Sequence, residues 1–256
     1  MTSCEHPTRV LDVAWACQWM RRAQAAVAAA KDELTELDRQ IGDGDHGFNL
    51  DRGMAAVVAK VDEGAGDPAQ EVGAVFKLVA TTLMSTVGGA AGPLYGTAFL
   101  RASRVSARPQ LTSMGLVSSF EAAVEGIEVR GHVTCGEKTM LDVWAPASQA
   151  AADALASNPQ ADVIAVLQQA VAAAHQGVVA TVPMLATKGR ASYLGDRSIG
   201  HVDPGARSSA IILQAALDAA VDILGECAVG DSTVVQGATG QGATGQGVTG
   251  EGVTAQ

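Results

Sequence analysis

The chain has 256 residues, which is enough for one large domain or two small ones. Hydrophobic residues make up 48% of it but aromatic residues only 4%, so alanine and valine supply much of the apolar surface, as suits closely packed helices better than a sheet. The formal net charge of −10 argues against general binding to nucleic acid or to anionic membranes, because both require a basic surface.

The sequence gives few signs of export or of membrane insertion. No run of about 18 apolar residues is evident, which predicts no membrane span. Residues 1–9 contain charges and Pro7, unlike a secretory signal. The cysteines are scattered without CxxC spacing, which indicates reduced thiols and argues against a zinc site or a disulfide framework. A cytoplasmic location is therefore expected.

Apolar residues recur at helical spacing from about Val10 to Leu37 and predict a long first helix. Asp67-Pro68 and Asp203-Pro204 each put a capping side chain before a proline, as is typical where helices begin. Further helices are predicted at residues 48–63, 68–87, 93–106, 112–129, 138–157, 160–187 and 206–226. We find no convincing alternating strand. The prediction is an all-α fold, a single up-and-down antiparallel bundle or barrel of about eight helices.

The end of the chain differs from the rest in composition. The helical domain is expected to cover residues 1–230, and residues 231–256 contain the repeat QGATG, QGATG, QGVTG, EGVTA. This repeat has no large side chains with which to offset the entropy lost in ordering a glycine-rich backbone. It therefore predicts a flexible, disordered tail.

The segment from Asp38 to Asn49 reads Asp-Arg-Gln-Ile-Gly-Asp-Gly-Asp-His-Gly-Phe-Asn. Asp43 and Asp45 would diverge on a helix, but on a glycine-rich turn both can bend toward one point. Converging carboxylates repel one another unless a divalent cation lies between them, and Mg²⁺ is the natural candidate. A solvated acidic turn with local hydrogen bonds is the alternative.

Two further loops have compositions that suit a phosphate ligand. Residues 88–92 read Gly-Gly-Ala-Ala-Gly, and their small side chains would let a phosphate approach the backbone N–H groups where the next helix begins. A tight turn built for packing is the alternative, since neither a Walker A loop nor GxGxxG is present. In the second loop, Lys138 is either solvated or balances phosphate charge, and Met140 lies either in the core or against an adenine ring.

Residues 186–205 concentrate positive charge in an acidic chain, at Lys188, Arg190 and Arg197. Arginine binds phosphate well through paired donors. His201 is either a ligand contact or a structural hydrogen-bonding residue. In an up-and-down bundle, alternate loops lie at the same end, which predicts that loops 42–47, 88–92, 131–137 and 195–205 meet at one mouth.

The motifs LDRQIGDGDHG, GGAAGPLYGT, GEKTMLDVW and KGRASYLGDRSIGHVDPGA, in this order over about residues 10–225, closely resemble the nucleotide-binding L subunit of dihydroxyacetone kinases. The resemblance implies an all-α barrel of eight antiparallel helices with ADP or ATP and two Mg²⁺ ions at one end. It implies that Asp38, Asp43 and Asp45 hold the metals and that Arg190 stabilises charge on the phosphoryl group. The residues that it places around the nucleotide are His46, Asn49, Ala90, Ala91, Gly131, Met140, Arg190, Asp203 and Gly205.

The resemblance also implies a partner. In this family a separate K subunit, or a fused K domain, holds the ketose through a covalent hemiaminal to histidine, and the general base is expected there. Nothing in this chain matches that domain, so we expect a phosphotransferase subunit that acts on dihydroxyacetone or a four-carbon relative. Bound ADP recharged by a phosphoenolpyruvate-driven phosphocarrier protein and exchangeable ATP both remain open, as does a homodimer. The alternative function is a nucleotide-loaded regulatory subunit without transfer activity.

Three positions depart from the family pattern. Ala91 stands where serine is common, which removes a hydroxyl contact to phosphate. Asp196 replaces a glutamate. Arg207 stands where threonine is frequent, and it is expected to add positive charge near the nucleotide.

Overall fold

The computed structural model describes residues 9–64 and 71–230, and side chains in the last helix up to residue 225. The expected tail at residues 231–256 and the helix start predicted at Asp67-Pro68 lie outside the described residues.

The described residues form nine α-helices, two short strands and a 3₁₀ helix. The α-helices are α1 (Val13–Ala29), α2 (Lys31–Ile41), α3 (His46–Gly64), α4 (Val72–Thr86), α5 (Ala91–Val105), α6 (Ser113–Gly131), α7 (Leu141–Ser157), α8 (Val163–Ala180) and α9 (Pro204–Gly230). The strands β1 (Leu11–Asp12) and β2 (Gln110–Leu111) pair antiparallel. At two residues each, they are too short to show alternation in the sequence. The 3₁₀ helix covers Arg190–Ser198 and is kinked at Gly195.

Eight of these helices close into a barrel. Helix α1 packs on α3 and α9, and each helix from α3 to α9 packs on the next. Trp15 and Trp19 donate their indole N–H groups to the carbonyls of Ala216 and Ile212, so α1 and α9 run antiparallel. Helix α2 lies outside this ring, against α3 and α9. The predicted all-α up-and-down barrel of eight helices is confirmed within the described residues, with α2 as an additional helix.

The long first helix predicted over residues 10–37 is wrong, because the chain breaks at Ala30. Helix α2 turns there to lie on α3, which approaches so closely that a Cβ on Gly47 would be 2.1 Å from the Lys31 carbonyl oxygen. Val27 and Leu34 are both buried, so each helix keeps an apolar face across the break. The apolar spacing therefore gives no sign of it.

Other helix ends follow recognisable signals. Helix α8 ends at Ala180 and does not reach residue 187, because Pro183 lacks an N–H and restricts the residue before it. The start of α9 is as predicted, since the Asp203 carboxylate accepts a hydrogen bond of 2.7 Å from the Ala206 N–H. Thr112 caps α6 in the same way through the Gly115 N–H, at 3.3 Å.

Two helices, α8 over Val163–Ala180 and α9 over Pro204–Gly225, are long and apolar enough to cross a membrane by length and composition alone. Such helices are weak evidence of a span, because the core helix of a soluble protein passes the same test, and the expectation of no span stays a prediction. Both helices are members of the barrel ring, and 39% and 56% of these windows are buried inside the protein. Burial against other helices accounts for their apolar character, so we infer no span from it. The cytoplasmic location stays a prediction.

Candidate functional site

The connections at one end of the barrel enclose a cleft of about 570 Å³. Helices α3, α5, α7 and α9 begin at this end, because neighbours alternate in direction around the ring. The lining residues come from all four predicted loops and include Gly42, Asp43, Asp45, His46, Gly88–Ala91, Gly131–Val133 and Asp203–Gly205. The prediction that these loops meet at one mouth is confirmed.

Every residue predicted for the site except Asn49 lines this cleft. Asn49 lies on α3 behind the glycine-rich loop 88–92. Its side-chain oxygen accepts a hydrogen bond from Arg52 at 2.9 Å. A Cβ on Gly88 would be 3.2 Å from the Asn49 side-chain nitrogen. Asn49 therefore supports the turn that borders the cleft and does not form part of its surface.

Three carboxylates converge at the acidic turn. Asp38, on α2, is buried, and its Oδ2 accepts hydrogen bonds from the backbone N–H groups of Asp45 (2.8 Å) and His46 (3.1 Å). Asp38 thus holds the turn against α2 and satisfies N–H groups where α3 begins. One ligand oxygen from each of Asp38, Asp43 and Asp45 lies within 4.8 Å of the other two. The inward bend predicted for this turn is confirmed.

Glycine allows this convergence at two positions. A Cβ on Gly42 would lie 2.1 Å from Asp38 Oδ1, so a larger residue there would collide with the carboxylate. Gly44 has a φ of +75°, a backbone conformation that residues with a side chain rarely adopt. The oxygen Asp38 Oδ1 therefore lies in a space that only glycine at position 42 leaves open.

Arg190 crosses the cleft to the acidic turn. Its Nη1 forms an ion pair of 2.5 Å with Asp43 Oδ2, and the two side chains are 64% and 33% exposed. The other predicted cations behave differently. Lys188 lines the cleft but donates to the His132 carbonyl at 2.6 Å, and Arg197 lies outside the lining. Of the three, Arg190 is the one bonded to the acidic turn.

The start of α5 presents its backbone to the cleft. Gly88, Gly89, Ala90 and Ala91 all line it, and Ala90 at the cap position offers no side-chain hydrogen bond. Helices α2, α4 and α7 likewise have no side-chain cap bond, whereas side chains of Asp12, Thr112 and Asp162 cap α1, α6 and α8. The first N–H groups of α5 carry the positive end of the helix dipole and are suited to an anion.

Hydroxyl groups connect the two sides of the cleft. His46 Nε2 lies 2.9 Å from Ser208 Oγ, and the Tyr95 hydroxyl lies 2.8 Å from Ser208 Oγ and 2.9 Å from Ser209 Oγ. Burial lowers the pKa of His46, opposed by the charges of Asp38 and Asp45. Burial likewise raises the pKa of Tyr95, which is therefore a neutral hydroxyl. Sequence reasoning missed Tyr95, although its spacing of four from Ala91 places both on one face of α5.

Replacing Tyr95 with phenylalanine is expected to lower the free energy of unfolding by about 1 to 2 kcal/mol, because buried serine hydroxyls lose a partner. Urea denaturation measures the change. The control is Tyr193→Phe, which removes a hydroxyl from a side chain that is 87% exposed, and we expect it to change stability by less than about 0.5 kcal/mol. Equal effects of the two substitutions would contradict this role for Tyr95.

Asp203 carries an unusual carboxyl group at the start of α9. Burial raises its pKa to about 7, with a further contribution from Asp142, while the Ala206 N–H and Lys138 oppose the shift. Because its ordinary value is 3.8, the folded protein holds this proton between about pH 4 and about pH 7, where the unfolded chain has lost it. This group's contribution to stability is therefore greatest at low pH and falls as pH rises through that window.

Asparagine at position 203 keeps an N-cap oxygen but cannot titrate. Urea denaturation at about pH 5 and about pH 8 should show that Asp203→Asn gains stability relative to the parent as pH rises. Parallel pH profiles for the two proteins would show that Asp203 titrates normally.

Three polar residues that the sequence left open or assigned to the nucleotide are instead bonded within the protein. Lys138 is buried, and its ammonium group donates to backbone carbonyls, so it is neither solvated nor extended to a phosphate, and both alternatives are wrong. His201 Nδ1 lies 3.0 Å from the Gln40 side-chain oxygen and outside the cleft lining. Arg207 forms an ion pair of 2.6 Å with Glu33, so it does not add free positive charge to the cleft as expected.

Comparison with known proteins gives matches over the segments that form the cleft. The model of the DAK2 domain matches residues 40–218. The ADP-binding subunit DhaL of PEP-dependent dihydroxyacetone kinase 1 from Listeria innocua is 44% identical over 212 residues, which cover 82% of this chain and 98% of that protein. The ADP-binding subunit DhaL of the PEP-dependent dihydroxyacetone kinase of Escherichia coli is 41% identical over 197 residues, 77% of this chain and 91% of that one.

Among solved structures, the dihydroxyacetone kinase from C. freundii in complex with AMP-PNP and Mg²⁺ superposes with a TM-score of 0.59. It is 20% identical, and the match covers 85% of this chain and 36% of that one. At this identity the likeness establishes the shared helical fold alone. The domain match and the two sequence relatives show that the chain belongs to the DAK2 domain family.

Proposed function

We propose that this chain is the Mg²⁺- and nucleotide-binding phosphotransferase subunit of a dihydroxyacetone-type kinase. In this role it passes a phosphoryl group to a short-chain ketose held on a separate K subunit. The observation that carries the proposal is the meeting of three carboxylates and the uncapped start of α5 in one cleft. The names of the relatives support it, since both are subunits and this chain covers 98% and 91% of them.

The acidic turn fits a divalent cation. Its donors are hard carboxylate oxygens, and Asp38 Oδ1 lies in the space that Gly42 leaves open. One arginine cannot neutralise three such carboxylates. We therefore assign Asp38, Asp43 and Asp45 to Mg²⁺ and propose two ions. When bound, the metal supplies neutralisation of the negative charge on the phosphate oxygens.

The phosphates of the nucleotide are assigned to the start of α5. Backbone N–H groups from Gly88 to Ala91 bind them there, and the helix dipole favours their charge. Because these donors belong to the backbone, alanine at position 91 does not remove them. Arg190 has room to turn from Asp43 toward the phosphoryl group, since its side chain is 64% exposed. Its paired donors then stabilise the charge that develops during transfer.

The base of the nucleotide is assigned to the apolar side of the cleft. Leu94, Ile127, Val133 and Met140 line that side. A Cβ on Gly131 would lie 3.2 Å from side-chain atoms of both Leu94 and Val133, so glycine keeps this surface open to a flat ring. His46, Asp203 and Gly205 complete the wall between the base and the metal.

The proton of the ketose hydroxyl is assigned to the K subunit. His46 is bonded to Ser208, and we assign no residue of this cleft as the general base. ADP is proposed as the resident nucleotide, recharged by a phosphocarrier protein, because both relatives are named PEP-dependent and ADP-binding. A cytoplasmic location and a homodimer belong to the same proposal.

The test is a reconstituted kinase assay. The purified chain is dialysed and its retained nucleotide is identified by mass spectrometry. It is then combined with candidate K subunits and three- or four-carbon ketoses, either with phosphoenolpyruvate and its carrier proteins or with ATP alone. Ketose phosphate formation that requires this chain supports the proposal. Retained nucleotide without transfer in any combination would instead identify a regulatory subunit.

A further inference from the structure

One buried cation, Lys138, is not among the residues that we assign to the phosphates. Lys138 is 1% exposed. Its Nζ donates to the carbonyl oxygens of His201 (2.5 Å) and Thr181 (2.6 Å), with a longer approach to Val182 (3.5 Å). An ammonium group has three donors and no acceptor, so these three carbonyls match its capacity.

The backbone of Lys138 is also constrained. Its φ is +60°, in the left-handed region that residues with a Cβ occupy at a cost. Burial lowers the pKa of Lys138, while the charges of Asp203 and Asp142 act in the opposite direction. A strained backbone and a buried charge persist only where the surrounding contacts favour them strongly. The contacts of the ammonium group are therefore the reason for this conformation.

The three carbonyls belong to two segments that meet beside the cleft. Thr181 and Val182 follow the end of α8, and His201 precedes the start of α9. The same two segments share other bonds, from the Gly200 N–H to the Val182 carbonyl (2.8 Å) and from the Asp203 N–H to Thr181 Oγ1 (3.2 Å). The ammonium group therefore joins the residues that follow α8 to the residues that precede α9.

Lys138 itself lies two residues before Met140, in the connection that leads to α7. Both Met140 and the Asp203–Gly205 segment line the cleft, and a Cβ on Gly205 would be 3.5 Å from Met140 Cβ. A single side chain thus ties together two adjacent segments of the cleft lining that carry proposed nucleotide contacts. The carbonyls of His201, Thr181 and Val182 already occupy the donors of its ammonium group.

We propose that Lys138 is a positioning residue whose ammonium group holds the Met140 segment against the Asp203–Gly205 segment and thereby sets the affinity for the nucleotide. This inference rests on the proposed function. The inference is not a claim about stability in general. A substitution elsewhere that destabilises the fold equally should weaken nucleotide binding less than the loss of Lys138 does.

The test uses Lys138→Met, which is close in size but has no donors. Calorimetric titration with Mg·ADP should give a dissociation constant at least about tenfold higher than that of the full-length parent. Hydrogen exchange, followed by mass spectrometry, should lose protection in residues 199–206 while the barrel helices keep theirs. Lys138→Arg retains the charge and donors and is expected to recover part of the affinity.

Two controls separate this inference from stability and surface charge. Ser106→Ala breaks a buried 2.7 Å bond to Ser119 at the far end of α5 and should destabilise the protein without changing nucleotide affinity. Lys60→Met removes an exposed cation on α3 and should change neither property.

The possible outcomes distinguish the two proposals. If the nucleotide-free parent does not bind Mg·ADP, the proposed function fails. If the parent binds and folded Lys138→Met binds within about twofold of it, the inference on Lys138 is overturned. If Lys138→Met does not fold, Lys138→Gln tests the same contact, because its shorter amide side chain keeps two N–H donors but removes the charge. Weaker binding then supports the inference, and unchanged binding overturns it.

Discussion

Replacing Asp43 with asparagine is expected to weaken the binding of Mg·ADP by at least about 100-fold, because a neutral amide is a poor ligand for a hard divalent cation. The free energy of unfolding should change by less than about 1 kcal/mol, since the substitution removes only a partly exposed ion pair with Arg190. Calorimetric titration gives the affinity, and urea denaturation gives the stability.

Asp62→Asn is the matched control for Asp43→Asn. Asp62 also forms an ion pair with an arginine, Arg21, at 2.8 Å, but it lies on α3 outside the cleft lining. This variant should bind Mg·ADP as the parent does. Unchanged Mg·ADP affinity in Asp43→Asn would remove Asp43 from the metal assignment, whatever the result with Asp62.

Adding a single methyl group at Gly42 is expected to have the second large effect. The Cβ of Gly42→Ala would be 2.1 Å from Asp38 Oδ1 and 3.0 Å from the Asp38 carbonyl oxygen, so the carboxylate or the turn must move. Overpacking of this kind typically costs about 1 to 3 kcal/mol. Displacement of Asp38 should also abolish Mg·ADP binding at millimolar metal, because Asp38 holds the N–H groups of Asp45 and His46 as well.

The control for Gly42→Ala is the same change at Gly225, in the exposed part of α9. A Cβ there meets no other atom within 4 Å, and alanine favours a helix over glycine by about 1 kcal/mol. Gly225→Ala should therefore raise stability and leave binding unchanged. A Gly42→Ala variant that resembles it in both properties would show that the turn is not packed against Asp38.

The acidic turn is the part of the site that the sequence predicts best. Its glycines, aspartates and histidine are adjacent in the chain, so the geometry that brings Asp43 and Asp45 inward is local. The barrel was predictable for a similar reason, since each ring helix has its own apolar face and consecutive helices are joined by short loops.

Features that depend on distant contacts were not predictable. The break at Ala30 follows from the packing of α2 on α3 at Gly47, far along the chain from any signal at the break itself. The buried bonds of Lys138 join residues 43 to 63 positions apart, so the sequence left open only a solvated cation or one that balances phosphate charge. The sequence spacing places Asn49 one helical turn after predicted site residues. Its bond to Arg52 nevertheless keeps its side chain behind the glycine-rich loop 88–92.

The central claim is that Asp38, Asp43 and Asp45 hold a divalent cation next to the nucleotide. Calorimetric titration of ADP into the metal-free, nucleotide-free chain tests it most directly, once with millimolar Mg²⁺ and once with EDTA. We predict tight binding with Mg²⁺ and at least about 100-fold weaker binding with EDTA, restored when Mg²⁺ is added back. Equal ADP affinity in the two titrations would contradict the claim, because it would show that the nucleotide binds without the metal.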